Sequence, residues 1–589
     1  MIDNFRSREA LDGMGLSRNG RCQMSLPTSP TPRVPLESLQ RALRAFRSGS
    51  HAPGWSLAAG VLLAVIGLPV IAVLYLAATA SANDWPHLLA HVLPVTLRQT
   101  LLLMFGAGVV TLIAGTGTAW LVTMYRFPGR AVLDRLLILP LAIPTYIAAY
   151  CYGDLLDFAG PVQTGLRSFF GWSAHDYWFP SIRSLGGGMF VMSAVLYPYV
   201  YLAARASFVQ QSVCALEVAR TLGRSSMGAF WSVALPLSRP ALAAGAALVA
   251  METLNDLGAV QHLGIETLSA SIYTTWLQRA NLGGASQIAT VLLVLVMLLL
   301  VGERLARGGA KVHHTTGRYR AIPFQDIEGW RGYAAAGLCA LPFIAGFVVP
   351  FIVLARFAAG HISVAIEGGF LQAAWNSMYL ATSTVAVMLG VVLSYAPRVA
   401  KTAFTRAAAQ FSGFGYALPG TVLALGVLIP LAAFDNGIDA LARSYFGIST
   451  GLLLSGSVAA IVFAYVIRFL AVARGGIEAG LERISPNLDA AARALGETAG
   501  STLWRIHLPL LAPALGAAGL LVFVDALKEL PATLLLRPFN FETLATHVYA
   551  FAALEQIESG ALGALTIVLA GLVPLLLLHR TIAGRAGEG

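Results

Sequence analysis

The chain has 589 residues, of which 57% are hydrophobic and only 12% are charged, and its formal net charge is +10. An ordinary soluble domain carries about 25% charged residues, and several soluble domains need more polar surface than this chain supplies. The composition excludes disorder for most of the chain and indicates a polytopic membrane protein. The four cysteines are scattered without paired spacing, which argues against a disulfide framework or a CxxC site: Cys22, Cys151, Cys214 and Cys339.

The first 52 residues are basic and poor in apolar residues. Eight arginines stand there among Ser, Pro and Gly, a composition typical of a disordered cytoplasmic tail; a functional basic arm is the alternative. The apolar run that follows starts after residue 55 and lacks a cleavage pattern, so we expect a membrane span rather than a signal peptide.

A membrane-spanning helix needs about 20 mostly apolar residues. The chain offers about twelve such runs, and we expect an all-α polytopic membrane protein with that number of transmembrane helices. Carboxylates occur inside two of them, near 240–260 and 512–530. The runs lie near 56–80, 99–124, 136–153, 184–204, 240–260, 286–302, 334–355, 371–396, 411–434, 450–467, 512–530 and 561–579.

The basic residues are distributed unevenly between the two ends of these helices. If the N-terminus is placed inside, the tail, the even-numbered connections and the C-terminus carry about 31 of the 39 basic residues. This bias predicts cytoplasmic N- and C-termini, and it explains the charge without nucleic acid. The basic residues outside or within the membrane would be Arg98, Arg167, Arg183, Arg279, Arg356, Arg443, Lys528 and Arg537.

Part of the sequence is repeated. Glu217-Val-Ala-Arg-Thr-Leu-Gly223 is followed by Leu235-Pro236, and Ala490-Ala-Ala-Arg-Ala-Leu-Gly496 is followed by Leu508-Pro509, at matching spacing. We therefore predict two homologous halves of about six helices each, inserted in parallel and lining one path between them. The predicted domains are a tail (1–52), a first half (53–305), a cytoplasmic linker (306–333) and a second half (334–583).

The two repeated loops lie between helices four and five of their halves, on the predicted cytoplasmic side. We name them the first repeated loop (212–236) and the second repeated loop (485–509). Each is predicted to form a helix capped by Ser212 or Ser485 and ended by Gly223 or Gly496. A second amphipathic helix with Trp231 or Trp504 would follow and break at Leu-Pro. The repetition favours docking to a partner over a simple interfacial helix pair.

The pattern Glu-x-Ala-Arg-x-Leu-Gly, followed by Leu-Pro, resembles the "EAA" loop of permeases of binding-protein-dependent ABC importers. The resemblance implies a type I importer permease fold and loops that dock into the ATP-binding subunits. In the second copy Ala490 stands where the acid is expected, and Asp489 lies one position earlier. The implied coupling residues are Glu217, Ala219, Arg220, Gly223, Pro236, Asp489, Ala492, Arg493, Gly496 and Pro509.

A second stretch, Leu527-Lys-Glu-Leu-Pro-Ala-Thr-Leu-Leu-Leu-Arg537 and on to Tyr549, is similar to the fused two-half permeases of ferric-iron ABC importers. This resemblance covers roughly residues 55–583. It implies the bacterial inner membrane, two copies of an ABC ATP-binding subunit, a periplasmic substrate-binding protein and ferric iron as cargo. A thiamine or oxyanion permease is the alternative within the class, and a secondary transporter is the alternative outside it.

The chain has no recognisable ATP site of its own. A phosphate-binding loop needs Gly-x-x-x-x-Gly-Lys-Ser/Thr, and none of the three lysines, Lys311, Lys401 and Lys528, follows such a glycine. We expect a transport subunit that is not an enzyme and binds no cofactor or metal, with ATP used by the partner ATPase. No nucleophile–base arrangement suggests catalysis.

Four carboxylates lie within the predicted spans. Glu252 and Asp256 are four residues apart, as are Asp525 and Glu529, so each pair shares one helix face. They would lie roughly 18–24 Å from the cytoplasmic end of their helices, where acids are costly and usually face a cavity. We predict that they, with Lys528, line the path or its outer gate. The alternative is a helix that ends early, with the acids in a wet outer loop.

Overall fold

The computed structural model describes residues 53–79, 84–210, 223–307, 324–363, 369–381 and 385–584. The predicted tail (1–52), most of the predicted linker, and Glu217, Ala219 and Arg220 of the first repeated loop lie outside these ranges. The described part is almost entirely helical, which confirms the predicted all-α class.

Twelve helices, counted within the described ranges, form the frame of the two halves, six in each. Four of them contain one π-helical turn, at Leu88–Val92, Phe230–Ala234, Ile344–Val348 and Leu503–His507. The helices are α1 (Pro53–Thr79), α2 (Asp84–Met124), α3 (Thr145–Leu156), α4 (Leu185–Gln210), α5 (Met227–Asn255), α6 (Leu282–Arg307), α7 (Trp330–Gly360), α8 (Val385–Ala400), α9 (Gly420–Phe446), α10 (Val458–Leu481), α11 (Ala499–Leu527) and α12 (Ile557–Gly584).

Shorter elements connect these helices. They are Arg130–Leu136, Leu139–Ala142 (3₁₀), Pro161–Phe170, Gly258–His262, Leu268–Tyr273, Thr274–Gln278 (π), Phe370–Ala381, Ala403–Phe411, Phe414–Ala417, Pro486–Ala494, Pro531–Leu536 and Leu544–Ala553.

Ten of the described helices are long and apolar enough to cross a membrane, and these are all of the twelve except α3 and α8. The segments Arg130–Ala142 and Thr145–Phe170 meet at an angle of 94°, which is the geometry of a broken span or of a re-entrant loop. The predicted span at 371–396 corresponds to Phe370–Ala381 and α8, which flank residues outside the described ranges. Each predicted span therefore corresponds to helical structure, although the one at 136–153 is sharply bent.

The end of the predicted linker is attached to the first half. Two-residue strands β1 (Tyr125–Arg126) and β2 (Gln325–Asp326) pair in parallel, and the Arg130 guanidinium lies 3.8 Å from the centroid of the Phe324 ring. These contacts hold the chain beside the end of α2 just before α7 begins.

The first helix of each half packs against the other half. α1 contacts α8 and α9 of the second half as well as α6 of its own half, and α7 contacts α3 and α4 of the first half. Glycine permits the close approach in both cases. A Cβ on Gly426 would lie 2.4 Å from the Pro69 carbonyl oxygen, and one on Gly346 would lie 2.0 Å from that of Ala194. The two halves therefore interlock.

The prediction that Leu-Pro breaks the helix before the next span is wrong in both loops. α5 runs through Pro236 and α11 runs through Pro509. A proline inside an α-helix lacks one N–H and collides with the carbonyl four residues earlier. A π turn lies directly before Leu-Pro in each helix, at Phe230–Ala234 and Leu503–His507, and its wider winding accommodates the ring.

Candidate functional site

A small cavity of about 90 Å³ lies between the two halves, where α5 and α11 end. It is lined from both sides by short polar segments that follow these helices and by α10. All five residues predicted to line the path or its gate meet there: Glu252, Asp256, Asp525, Lys528 and Glu529.

Two of these acids accept hydrogen bonds from the first turn of the short helix that follows each of them. α5 ends at Asn255 and α11 at Leu527. Asp256 then accepts a hydrogen bond from the backbone N–H of Ala259 at 2.8 Å, and Glu529 accepts one from that of Ala532 at 3.0 Å. The helices do end early, as the alternative expectation held. The acids are nevertheless only 7% and 5% exposed, so they lie in the protein interior and not in a wet outer loop.

The other two acids pair with side chains. The Tyr416 hydroxyl donates to Glu252 Oε1 at 3.0 Å, which joins the two halves. Lys528 Nζ lies 2.9 Å from Asp525 Oδ1. Lys528 therefore pairs with the acid three residues before it on the chain.

Arg468 is a buried cation that the sequence reasoning did not identify as part of the site. Its Nε lies 3.2 Å from Glu529 Oε2, and its Nη1 donates to Asn255 Oδ1 and to the Leu418 carbonyl, both at 3.2 Å. The predicted span stopped at residue 467, so Arg468 counted as cytoplasmic. The structure corrects this, because α10 continues to Leu481 and places Arg468 about 15 Å from its first residue.

The cavity combines four carboxylates with two cations, so its formal charge is −2 when all six groups are ionised. Each carboxylate has at least one polar partner. This pairing is what permits charges at such depth, because an unpaired buried charge is far more costly. The site is therefore a network of paired groups with a formal excess of negative charge.

The second repeated loop folds as predicted in its first part. Ser485 accepts a hydrogen bond from the backbone N–H of Asn487, and Pro486 stands in the first turn of the helix Pro486–Ala494. Gly496 follows that helix with φ +82°, and Gly223 in the first repeated loop has the same φ. Left-handed backbone of this kind is the usual end of a helix and favours glycine. The shared angle supports the equivalence of the two loops.

This loop presents an apolar surface. Leu495 is 83% exposed and Trp504 is 69% exposed, and Trp231 of the first repeated loop is 63% exposed. Ala492 packs inward, whereas Arg493 is exposed and donates from Nε to the Asp489 carbonyl. Clustered exposed apolar side chains mark interaction sites.

Asp489 faces the body of the protein and not the surface of the loop. Arg398 Nε donates to one carboxylate oxygen at 2.5 Å, and His507 Nε2 lies 2.5 Å from the other. Arg398 also donates to the carbonyls of Leu481 and Ile484. One residue corresponds to about 100° around a helix, so the acid one position earlier than in the motif points in a different direction from Ala490, which is exposed.

These contacts set the charge of Asp489. Burial raises its pKa, but the hydrogen bonds from Arg398 and His507 outweigh burial and leave the pKa below its ordinary value. The carboxylate therefore stays ionised at neutral pH and anchors the loop to α8 and α11. The contact of Asp489 with Arg398 was not foreseen, since Arg398 counted only as a cytoplasmic basic residue.

Some known proteins resemble most of the chain, and others resemble less than half of it. Residues 108–302 match the family of binding-protein-dependent transport system inner membrane components. The Fe(3+)-transport system permease protein of Haemophilus influenzae is 26% identical over 82% of this chain and 89% of its own length. A ferric transport system permease protein of Actinobacillus pleuropneumoniae is 22% identical over 79% of this chain and 67% of its own length.

A third relative has about half the length. The sulfate transport system permease protein of Escherichia coli is 32% identical over 42% of this chain, and the match covers 90% of that protein. The family match and these relatives agree with the predicted class, an all-α polytopic permease. The chain therefore belongs to the binding-protein-dependent transport system inner membrane components, the permeases of ABC importers.

Proposed function

We propose that this permease forms the translocation path for ferric iron delivered by a periplasmic binding protein. The observation that carries the proposal is the cavity between the halves, where four carboxylates outnumber two cations. Such an excess suits a cationic cargo and opposes an oxyanion. The relatives support the same choice, because similarity to a ferric permease extends over 82% of the chain.

The energy for transport would come from separate subunits. We propose that two copies of an ABC ATP-binding subunit dock on the first and second repeated loops. The exposed Trp231, Leu495 and Trp504 would supply apolar contacts at these two sites. This chain would hydrolyse no ATP and bind no cofactor, and both termini would be cytoplasmic with the two loops.

An oxyanion permease is the second candidate. The sulfate relative is 32% identical, a higher value than that of the ferric relative, but the match covers only one half of this chain. A path for sulfate or molybdate would have to pass the acidic cavity, which the charge of those ions disfavours.

Uptake into proteoliposomes tests the proposal. The permease is reconstituted with its ATPase, and binding protein loaded with radioactive ferric iron is added outside. We expect iron to accumulate only with ATP on the ATPase side, and unlabelled ferric iron to compete where thiamine, sulfate and molybdate do not. ATP-driven accumulation of sulfate or molybdate in place of iron would refute the ferric assignment and leave the permease assignment standing.

A further inference from the structure

The network around Arg468 joins the two halves across the cavity. Asn255 belongs to the first half, and its Oδ1 accepts both from Arg468 Nη1 at 3.2 Å and from the backbone N–H of Gly420 at 2.8 Å. Tyr416 of the second half donates to Glu252 of the first. Any cargo that passes between the halves at this level must separate these pairs.

Arg468 is the member of this network that links most groups. Its guanidinium reaches Glu529 and the Leu418 carbonyl in its own half and Asn255 in the other, and the side chain is only 7% exposed. A planar fork with donors on three nitrogens suits this role, whereas a lysine ammonium carries all its donors on one nitrogen. The guanidinium also compensates the negative charge of Glu529, which would otherwise attract a cationic cargo.

We propose that Arg468 is a latch across the translocation path: it holds Asn255 of the first half and neutralises Glu529 until transport begins. Its withdrawal separates the halves and exposes a carboxylate to the cargo. The part of the proposal that concerns the cation rests on the proposed function. The part that concerns closure does not, because it follows from contacts between the two halves alone.

The latch is tested by the accessibility of the cavity. Leu196 lines it and is 4% exposed, so Leu196→Cys reports entry of a small cationic methanethiosulfonate reagent. The experiment uses the full-length permease assembled with its ATPase in proteoliposomes, with the native cysteines replaced and without cargo or ATP. We expect slow labelling when Arg468 is present, and labelling at least tenfold faster in Arg468→Gln.

Three further variants keep the test decisive. Asn255→Ala removes the contact from the other half while Glu529 still pairs with Arg468, so it leaves no unpaired charge; we expect an increase smaller than that of Arg468→Gln. Combining the two changes should add less to Arg468→Gln than Asn255→Ala adds to wild type, because both break the contact between Arg468 and Asn255 and only the contact of Asn255 with Gly420 is lost in addition. Arg468→Lys should fall between wild type and Arg468→Gln.

Arg474→Gln is the matched control. Arg474 lies on the same helix and pairs with Glu478 at 2.9 Å, away from the cavity, so its labelling rate should equal that of wild type. Wild-type labelling in assembled Asn255→Ala and Arg468→Gln, or equal acceleration in Arg474→Gln, would overturn the latch. Should Arg468→Gln fail to assemble, Arg468→Lys and Asn255→Ala decide together, and wild-type labelling in both would overturn the latch. Failure of iron uptake leaves this readout unaffected, since no cargo is present.

Discussion

Removal of the Asp489 carboxylate should release the second repeated loop from the body of the permease. Asp489→Ala deletes two charge-assisted hydrogen bonds, to Arg398 and His507, both at 2.5 Å. Such bonds contribute about 1.5–3 kcal/mol each, and the lower value applies because the carboxylate side chain is 17% exposed. Arg398 keeps the carbonyls of Leu481 and Ile484, so we reduce the sum to about 2 kcal/mol, or roughly a 30-fold rise in loop opening.

Hydrogen–deuterium exchange of the assembled permease in nanodiscs measures this opening directly. The amides of the helix Pro486–Ala494 should lose about 30-fold in protection, and ATP hydrolysis should become less tightly coupled to uptake. Glu497→Ala is the control, because it removes a carboxylate from the same loop whose partner Arg505 is 74% exposed; such pairs contribute about 0–1 kcal/mol. Unchanged protection in Asp489→Ala, or equal loss in the control, would refute the anchoring role.

Three other predictions concern pH, backbone and charge. The pKa of Asp489 is lowered in the folded protein, so anchoring is complete above the ordinary carboxyl pKa of about 3.9 and is lost as the pH falls through the lower folded value. The difference in hydrogen exchange between wild type and Asp489→Ala, corrected for intrinsic exchange rates, should therefore be constant from about pH 8 to 5. It should shrink below about pH 4. Gly496→Ala places a side chain on a residue with φ +82° and should lower the free energy of unfolding, measured by thermal unfolding, by about 1–2 kcal/mol. Gly500→Ala lies in a helix with open space around it and should not lower it. Equal effects of the two changes would contradict the backbone argument. Glu252→Ala and Asp525→Ala should each slow ATP-driven uptake in complexes that assemble normally, and unchanged uptake would remove both acids from the path.

Local patterns predicted the local structure well. Ser485, Pro486 and Gly496 each act within one helical turn, so their positions in the sequence suffice to predict the start and end of a helix. The intramembrane acids were also identifiable, because a charge in an apolar run demands a special environment. Pro509 misled the prediction, since a π turn upstream lets α11 continue and nothing in the local sequence signals that turn.

The partners of the acids were beyond sequence reasoning. Arg468 contacts Asn255 across 213 residues, and Tyr416 contacts Glu252 across 164. Such pairs depend on how the two halves meet, and a repeat pattern does not define that interface. Arg468 still carried a signal, as a lone basic residue inside the apolar run Tyr465-Val-Ile-Arg-Phe-Leu470, and a span extended beyond residue 467 would have placed it in the membrane.

The packing of α1 against the second half limits the order in which the helices can assemble. α1 leaves the ribosome early, yet its partner α9 begins roughly 340 residues after α1 ends, since Thr79 and Gly420 bound that interval. At about 5–20 residues per second, α1 waits roughly 17–70 s for this surface. During that interval the face of α1 that later packs on α9 lacks this partner. The packing of α1 is therefore unfinished until α9, which ends at Phe446, has been synthesised.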